Sequence, residues 1–260
     1  MNSGIVDIGY VQLALASLLL LFTIAVSIKL QLGQTKSLLI GAVRTFIQLL
    51  ALGFILNYIF DLQRWWIVLL VVLFMILSAT QIAVSRVKRH IPKLWPSIFI
   101  SLFFSSIIVS LLVVEGVIQA EPWFSARHLI PITSMIVGNA MTAVALGITR
   151  LFDDLESRKD ELDTLVALGA SPLEAALPSI KRSVNAGLLP TIAMMSAVGI
   201  VSIPGMMSGQ ILAGADALAA AKYQIVVVLM QSAASSLSLF SACYFCYAQS
   251  FSREGYYIKR

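Results

Sequence analysis

Few side chains in this chain could do chemistry, and the densest group of them runs Met194-Met195-Ser196-Ala197-Val198-Gly199-Ile200-Val201-Ser202-Ile203-Pro204-Gly205-Met206-Met207-Ser208-Gly209. Four methionines offer a soft, adaptable surface, although methionine is more often plain filler. Three glycines and a proline between Gly199 and Gly209 rule out an unbroken helix, and carbonyls freed at Pro204 need protein or water as partners. The stretch is expected to line a cavity or to bend, with Gly199, Pro204 and Gly205 as the hinge. Ser202, Met206 and Met207 would then face a passing ligand, joined by Met135, Asn139 and Met141. Arg44 and Gln48 stand four apart on one helical face. They could add a polar stripe, although Arg44 reads more simply as an anchor snorkelling to a membrane surface. Thioethers and neutral oxygens suit weak, transient contact with a chelate or a porphyrin. A bare transition-metal ion held tightly would need imidazole and carboxylate.

Catalytic constellations are missing. No G-x-x-x-x-G-K-[ST] phosphate loop occurs, and Gly33-Gln34-Thr35-Lys36-Ser37 has the wrong spacing. There is no H-E-x-x-H, no pair of intramembrane aspartates, and the two histidines, His90 and His128, fall on opposite sides of the expected bilayer. Cys243-Tyr244-Phe245-Cys246 is a C-x-x-C inside an apolar run, where thiols are more often packing groups than metal ligands. No catalytic residue, no certain metal site and no cofactor bound by this chain are expected.

The elements that carry these residues must be membrane helices. The chain of 260 residues is 59% hydrophobic and 12% charged, with a mean hydropathy of +0.91. Soluble domains are nearer half apolar and roughly a quarter charged. Seven windows are long enough to cross a bilayer, at 8–28, 38–60, 65–85, 94–118, 129–149, 188–208 and 223–248. The expected fold is an all-α integral membrane protein, a polytopic bundle of seven transmembrane helices in one domain over residues 1–260. Ser134, Gly138 and Thr142, four apart, suggest a small-residue packing seam in the fifth span.

Placement of charge sets the orientation. With the amino terminus outside, Lys29, Lys36, Arg86, Lys88, Arg89, Lys93, Arg150, Arg158, Lys159, Lys181, Arg182, Arg253, Lys259 and Arg260 face the cytoplasm. Only Arg64, Arg127 and Lys222 face outward. That asymmetry is the positive-inside pattern, so the pI near 9.3 signals topology rather than nucleic acid. Asp7, ahead of the first span without a basic flank, argues against a cleaved signal peptide. Trp65, Trp66 and Trp123 fall at the outer interface and Trp95 at the inner one.

The polar interval 150–187 is the one long cytoplasmic loop. Leu151, Leu155, Leu162, Leu165 and Val166 recur at helical spacing against Asp153, Asp154, Arg158, Lys159 and Asp160. The fifth span is expected to continue as an amphipathic helix and stop at Gly169, a residue suited to a left-handed helix end. Ser171-Pro172-Leu173-Glu174 then reads as a capping box opening a new helix. Pro178 is expected to end or kink that helix within about two turns. The result could be a solvated surface loop or a rigid docking foot, a coupling helix beneath the bundle.

Asp163-Thr164-Leu165-Val166-Ala167-Leu168-Gly169-Ala170-Ser171-Pro172 resembles the coupling motif of ABC-transporter permeases, in which Glu-Ala-Ala is followed four residues on by glycine. The acid and the glycine are kept, and both alanines are replaced. Over most of the chain the sequence resembles the FetB family, permease subunits of a bacterial iron-export ABC system with relatives in plants. The strings that carry the likeness are Arg44-Thr45-Phe46-Ile47-Gln48-Leu49, Ile130-Pro131 through Met135, Gly138-Asn139-Ala140-Met141, Ser202 through Gly209, and Lys222-Tyr223-Gln224.

The resemblance implies a transporter subunit of the bacterial inner membrane rather than an enzyme. It would pair with a second copy of itself and with a cytoplasmic ATP-binding cassette subunit that holds the ATP and Mg. Asp163, Gly169, Ser171, Pro172 and Glu174 would make the coupling contact. The cargo implied is iron, free or chelated, and another metabolite such as a nucleotide-sugar or porphyrin is the rival. A scaffold that merely recruits a cytoplasmic protein is also open. A secondary transporter would need intramembrane acids or histidines, and the spans offer only Glu115 near an outer end.

Overall fold

The computed structural model describes residues 9–31, 33, 35–62, 64–87, 91, 93–119, 121–252 and 256–258. The sequence expectations at Asp7, Lys88, Arg89, His90, Arg253, Lys259 and Arg260 lie outside the described residues, as does the first residue of the first window. The chain divides into two units, Met1–Gln63 with Leu212–Gly214, and Arg64–Ile211 with Ala215–Arg260.

In the first unit, α1 (Tyr10–Lys29) and α2 (Thr35–Leu62) pack on each other. The Ser27 and Thr35 hydroxyls, 3.2 Å apart, join them across the turn that Gly33 makes at φ +69°. Arg44 and Gln48 sit one turn apart on an exposed face of α2.

The second unit is built around α5 (Ala126–Ser157), which packs against α3 (Trp65–Arg86), α4 (Leu94–Leu111), α7 (Pro172–Ala197) and α9 (Ala217–Ala248). Ile132, Ile136, Val144, Ile148 and Leu151 of α5 are buried on several sides, as a central helix requires. Most of the polar exceptions in the core are hydroxyls; Asp154, Gln224 and Gln231 are the others among the described residues. Ser101 and Ser105 of α4 each donate back to the carbonyl four residues earlier, and the Ser105 and Ser238 hydroxyls meet across α4 and α9. Thr133 donates to Ser110 at 3.1 Å and the Gln249 amide to Ser97 at 2.7 Å. Small hydroxylated residues let helices approach closely where lipid gives no hydrophobic drive. Outward stripes are apolar, such as Ile100, Phe104, Ile108 and Leu112, which suits a lipid solvent. The α4 helix runs on in wider π turns over Leu112–Ile118, which carry Glu115 on an exposed face.

Several expectations are corrected here. Six helices among the described residues are long and apolar enough to cross a membrane, where seven windows were expected. Residues 188–208 are the end of α7, a turn, and the start of α8 (Gly205–Leu212). The helix does break where the glycines and proline demanded it. Pro178 does not end the capped helix, because α7 runs 26 residues through Pro178 and Pro190. The hydrogen bond that Pro178 forfeits belongs to the exposed Glu174, whose carbonyl can turn to water. Conversely, the α5 extension is not continuous. It breaks at Arg158, and α6 (Lys159–Ala167) follows.

The small-residue seam also lies elsewhere. Ser134 and Gly138 are exposed, and a Cβ on Gly138 would meet nothing within 4 Å. The close crossing is made by Gly147 of α5 and Gly187 of α7. A Cβ on Gly187 would lie 2.7 Å from the Ala143 carbonyl and 2.6 Å from Leu239, which leaves no room for a methyl group. Gly187→Ala is therefore expected to destabilise the bundle by about 1–3 kcal/mol, the usual cost of overpacking. Gly138→Ala should be nearly silent. Thermal unfolding of the two variants in one detergent, followed by circular dichroism, decides this.

Candidate functional site

Two places concentrate polar side chains, a foot at one end of α7 and a cavity at the other. At the foot, α6 ends in a Schellman turn. Gly169 adopts φ +98°, its N–H bonds the Val166 carbonyl at 3.0 Å, and the Ala170 N–H bonds the Leu165 carbonyl at 3.0 Å. Ser171 then caps α7 as the sequence predicts. The Glu174 N–H donates to the Ser171 hydroxyl at 3.3 Å, and the Ser171 N–H donates back to the Glu174 carboxylate at 2.8 Å. The Ser171 hydroxyl also donates to that carboxylate at 2.7 Å. These two donors from Ser171 hold the Glu174 carboxyl below its ordinary value of 4.5.

Behind the corner a charge network ties three helices together. Arg158, at the α5–α6 break, donates to the buried Ser179 hydroxyl of α7 at 2.6 Å and to Glu161 of α6 at 2.8 Å. Arg182 of α7 donates to the buried Asp154 carboxylate of α5 at 2.9 and 3.2 Å. Asp163 is engaged from a direction the sequence did not suggest. The Tyr257 N–H of the C-terminal segment donates to its carboxylate at 3.2 Å, where Phe251 and Tyr257 pair antiparallel. The corner itself presents apolar groups to solvent, with Leu168 80%, Leu173 42% and Leu177 41% exposed.

At the far end of α7 the chain turns tightly. Gly199, at φ +83°, donates to the Ser202 carbonyl at 2.9 Å, and the Val201 N–H reaches the Ala197 carbonyl at 2.9 Å. The turn forms one wall of a cavity of about 320 Å³, whose other walls are α5 and α9. Met135, Asn139, Ser202, Pro204, Gly205 and Met206 line it, so six predicted residues converge from two segments, Met135 and Asn139 on α5 and the 202–206 run that includes Pro204 and Gly205 of the hinge. Met207 and Gly199 line a neighbouring cavity of about 350 Å³. Met141 is half-buried on α5 outside both linings.

The lining residues not singled out as site residues include Met194, Gln224 and Gln231. Gln224 and Gln231 stand two turns apart on α9, both about nine-tenths buried at 8% exposure. The Gln224 Oε1 is buried with no hydrogen-bond partner among the described residues, and Gln224 borders both cavities. Two carboxamides spaced by seven in an apolar helix were the available signal. The lining carries amides, thioethers and one hydroxyl, and no charge. Among the described residues no group of three or more His, Cys, Asp or Glu could hold a metal ion.

The match to known proteins covers nearly the whole chain. The model of the Uncharacterised protein family (UPF0014) matches residues 10–251. The chain belongs to that family. UPF0014 relatives include the "Probable iron export permease protein FetB" of Escherichia coli K12, 38% identical over 91% of this chain and 90% of the relative. The UPF0014 membrane protein slr1647 of Synechocystis is 34% identical over 86% of each chain. Protein ALUMINUM SENSITIVE 3 of Arabidopsis thaliana is 33% identical over 94% of this chain and 88% of its own. No solved structure matches. The protein is thus a multi-helical membrane protein of the UPF0014 family, and the sequence resemblance to the FetB family holds.

The depressed Glu174 carboxyl makes the foot acid-sensitive. Its contribution to the cap is full above the ordinary carboxylate range and is lost as pH falls through its lowered folded value. Hydrogen exchange at the Ser171 and Glu174 amides should therefore accelerate on acidification relative to the intrinsic rate. In Glu174→Gln that pH dependence should vanish.

Proposed function

We propose that this chain is the membrane-spanning permease subunit of an ATP-driven ABC transporter that exports iron, free or chelated, from the cytoplasm. The supporting observation is the foot. A capped corner with exposed Leu168, Leu173 and Leu177 is shaped to enter a groove in a soluble partner. It is rigidly continuous with a helix that ends in the wall of a cavity. The chain has no phosphate loop of its own, so ATP and Mg would be bound by a cytoplasmic ATP-binding cassette subunit. A second copy of the permease would complete the assembly in the inner membrane, with the amino terminus outside and the carboxyl terminus in the cytoplasm.

The mechanism follows from α7. Its 26 residues span about 39 Å, from the foot to the turn at Val198–Pro204. Closure of the ATPases on ATP would push the foot, and α7 would carry that displacement to the turn and reshape the cavity beside Asn139, Met135 and Met206. Gly199, Pro204 and Gly205 would absorb the backbone change. Arg44 and Gln48 of α2 remain proposed pathway residues, as do Met141, Ser202 and Met207.

Iron as cargo is supported by the relative named as an iron export permease. The uncharged lining favours a chelated or otherwise masked ion, because a bare divalent cation would find no carboxylate to offset its lost hydration. A nucleotide-sugar, a porphyrin or another metabolite is the second reading, favoured by that same neutral lining. Inside-out vesicles holding the permease with its ATPase should accumulate iron on addition of ATP. Leu168→Glu with Leu173→Glu should cut both co-purification of the ATPase and uptake by about tenfold or more, as loss of a buried anchor does. Unchanged transport by a variant with wild-type helix content would refute the coupling role.

A further inference from the structure

A third cavity, of about 400 Å³, opens between the ends of α3 and α5 beside α7, well away from the neutral cavity. Its lining includes Arg86, the last residue of α3, together with Thr149, Arg150 and Asp153 of α5. Leu146 and Ala186 line it as well. The level of this cavity is fixed by the sequence of its walls. Arg86 is the first charge after the uncharged run that begins at Trp65, and Arg150 is the first after the run that begins at Leu129. Two guanidiniums therefore stand where apolar helix gives way to polar helix, which is headgroup depth in a bilayer.

We propose that this cavity is a phospholipid headgroup site. It holds the phosphodiester between Arg86 and Arg150 and the amine of a phosphoethanolamine headgroup against Asp153. The chemistry is that of paired guanidiniums and phosphate oxygens, which form charge-assisted hydrogen bonds in a fork geometry. Arg150 is free for this task because its ion pair with Asp154 is long, at 3.9 Å, while Arg182 holds Asp154 at 2.9 Å. The exposed Asp153 would repel a purely anionic headgroup and attract a zwitterionic one. Leu146, 45% exposed on the membrane-ward rim, gives an acyl chain a surface that a soluble phosphate would not use. The site is also mechanically placed, since Arg150 and Asp153 lie between Gly147 and Asp154, the two points at which α5 is locked to α7.

Native mass spectrometry of the full chain in detergent tests this, with palmitoyl-oleoyl phosphatidylethanolamine, palmitoyl-oleoyl phosphatidylglycerol and inorganic phosphate as the three probes. The ethanolamine lipid should bind most tightly, and inorganic phosphate should not displace it. Each of Arg86→Gln and Arg150→Gln should weaken its binding about fivefold. The Arg86→Lys, Arg150→Lys double variant, which keeps the charge and loses the fork, should bind more weakly than the wild type yet more tightly than the Arg86→Gln, Arg150→Gln double variant, and Lys222→Gln, at the other end of the bundle, should leave binding unchanged. Asp153→Asn should shift the preference toward phosphatidylglycerol. Lipid binding indifferent to both arginines would overturn the proposal. So would equal competition by inorganic phosphate, which would mark a soluble-anion site instead.

Discussion

Everything distinctive in this structure depends on how closely α7 lies against α5. At Gly147 and Gly187 the two backbones come so near that a single added methyl would strike a carbonyl. Dispersion and shape, rather than hydrophobic drive, hold helices together in lipid, and a glycine crossing supplies both. One and a half turns toward the foot, Arg182 reaches the buried Asp154, and Arg158 fastens Ser179 at the break between α5 and α6. A steric pin beside an ionic one gives α7 a fixed crossing point on α5. In the transport proposed above, α7 would pivot there, so that what moves its capped end would also move its other end.

That constraint joins the two polar regions of the second unit. The foot alone would be a well-capped corner, and the neutral cavity alone a gap between helices. On the proposed transport reading, α7 between them would act as a lever, carrying movement of the foot to the cavity beside Asn139, Gln224 and the methionines. The buried Gln224 oxygen has no partner among the described residues, and an unpaired amide in an apolar setting is costly because it forfeits a hydrogen bond. Under the transport proposed above, a cargo that brings a donor to it, and leaves again, would relieve that cost for part of each cycle.

Legibility in the sequence followed the range of each interaction. The Ser171–Glu174 cap, the left-handed Gly169 and the break after Ala197 are local, set within four or five residues, and could be read directly. The convergence of Met135, Asn139, Ser202 and Met206 could be guessed because each segment was unusual for a span. The continuity of α7 was not legible, because a proline normally costs a helix about 3 kcal/mol. Only the solvated Glu174 carbonyl, and the packing of α7 on α5, make Pro178 tolerable. The glycine crossing was misplaced for a similar reason. The spacing of Ser134, Gly138 and Thr142 marks a face that could pack, and which partner fills it is a tertiary fact. The tie between Asp163 and Tyr257 spans 94 residues of sequence, beyond the reach of any local pattern.

The lever is most directly examined by spin labels at Leu173 and Met195, two exposed positions near opposite ends of α7. Their separation can be measured by electron–electron double resonance, with the ATPase partner present, before and after ATP is added. A rigid α7 predicts one narrow distribution near roughly 33 Å in both states, while a second pair, Met195 and Leu218, changes. A broad 173–195 distribution, or one that shortens with ATP, would mean that α7 bends at Pro178 or Pro190, and transmission through it would fail.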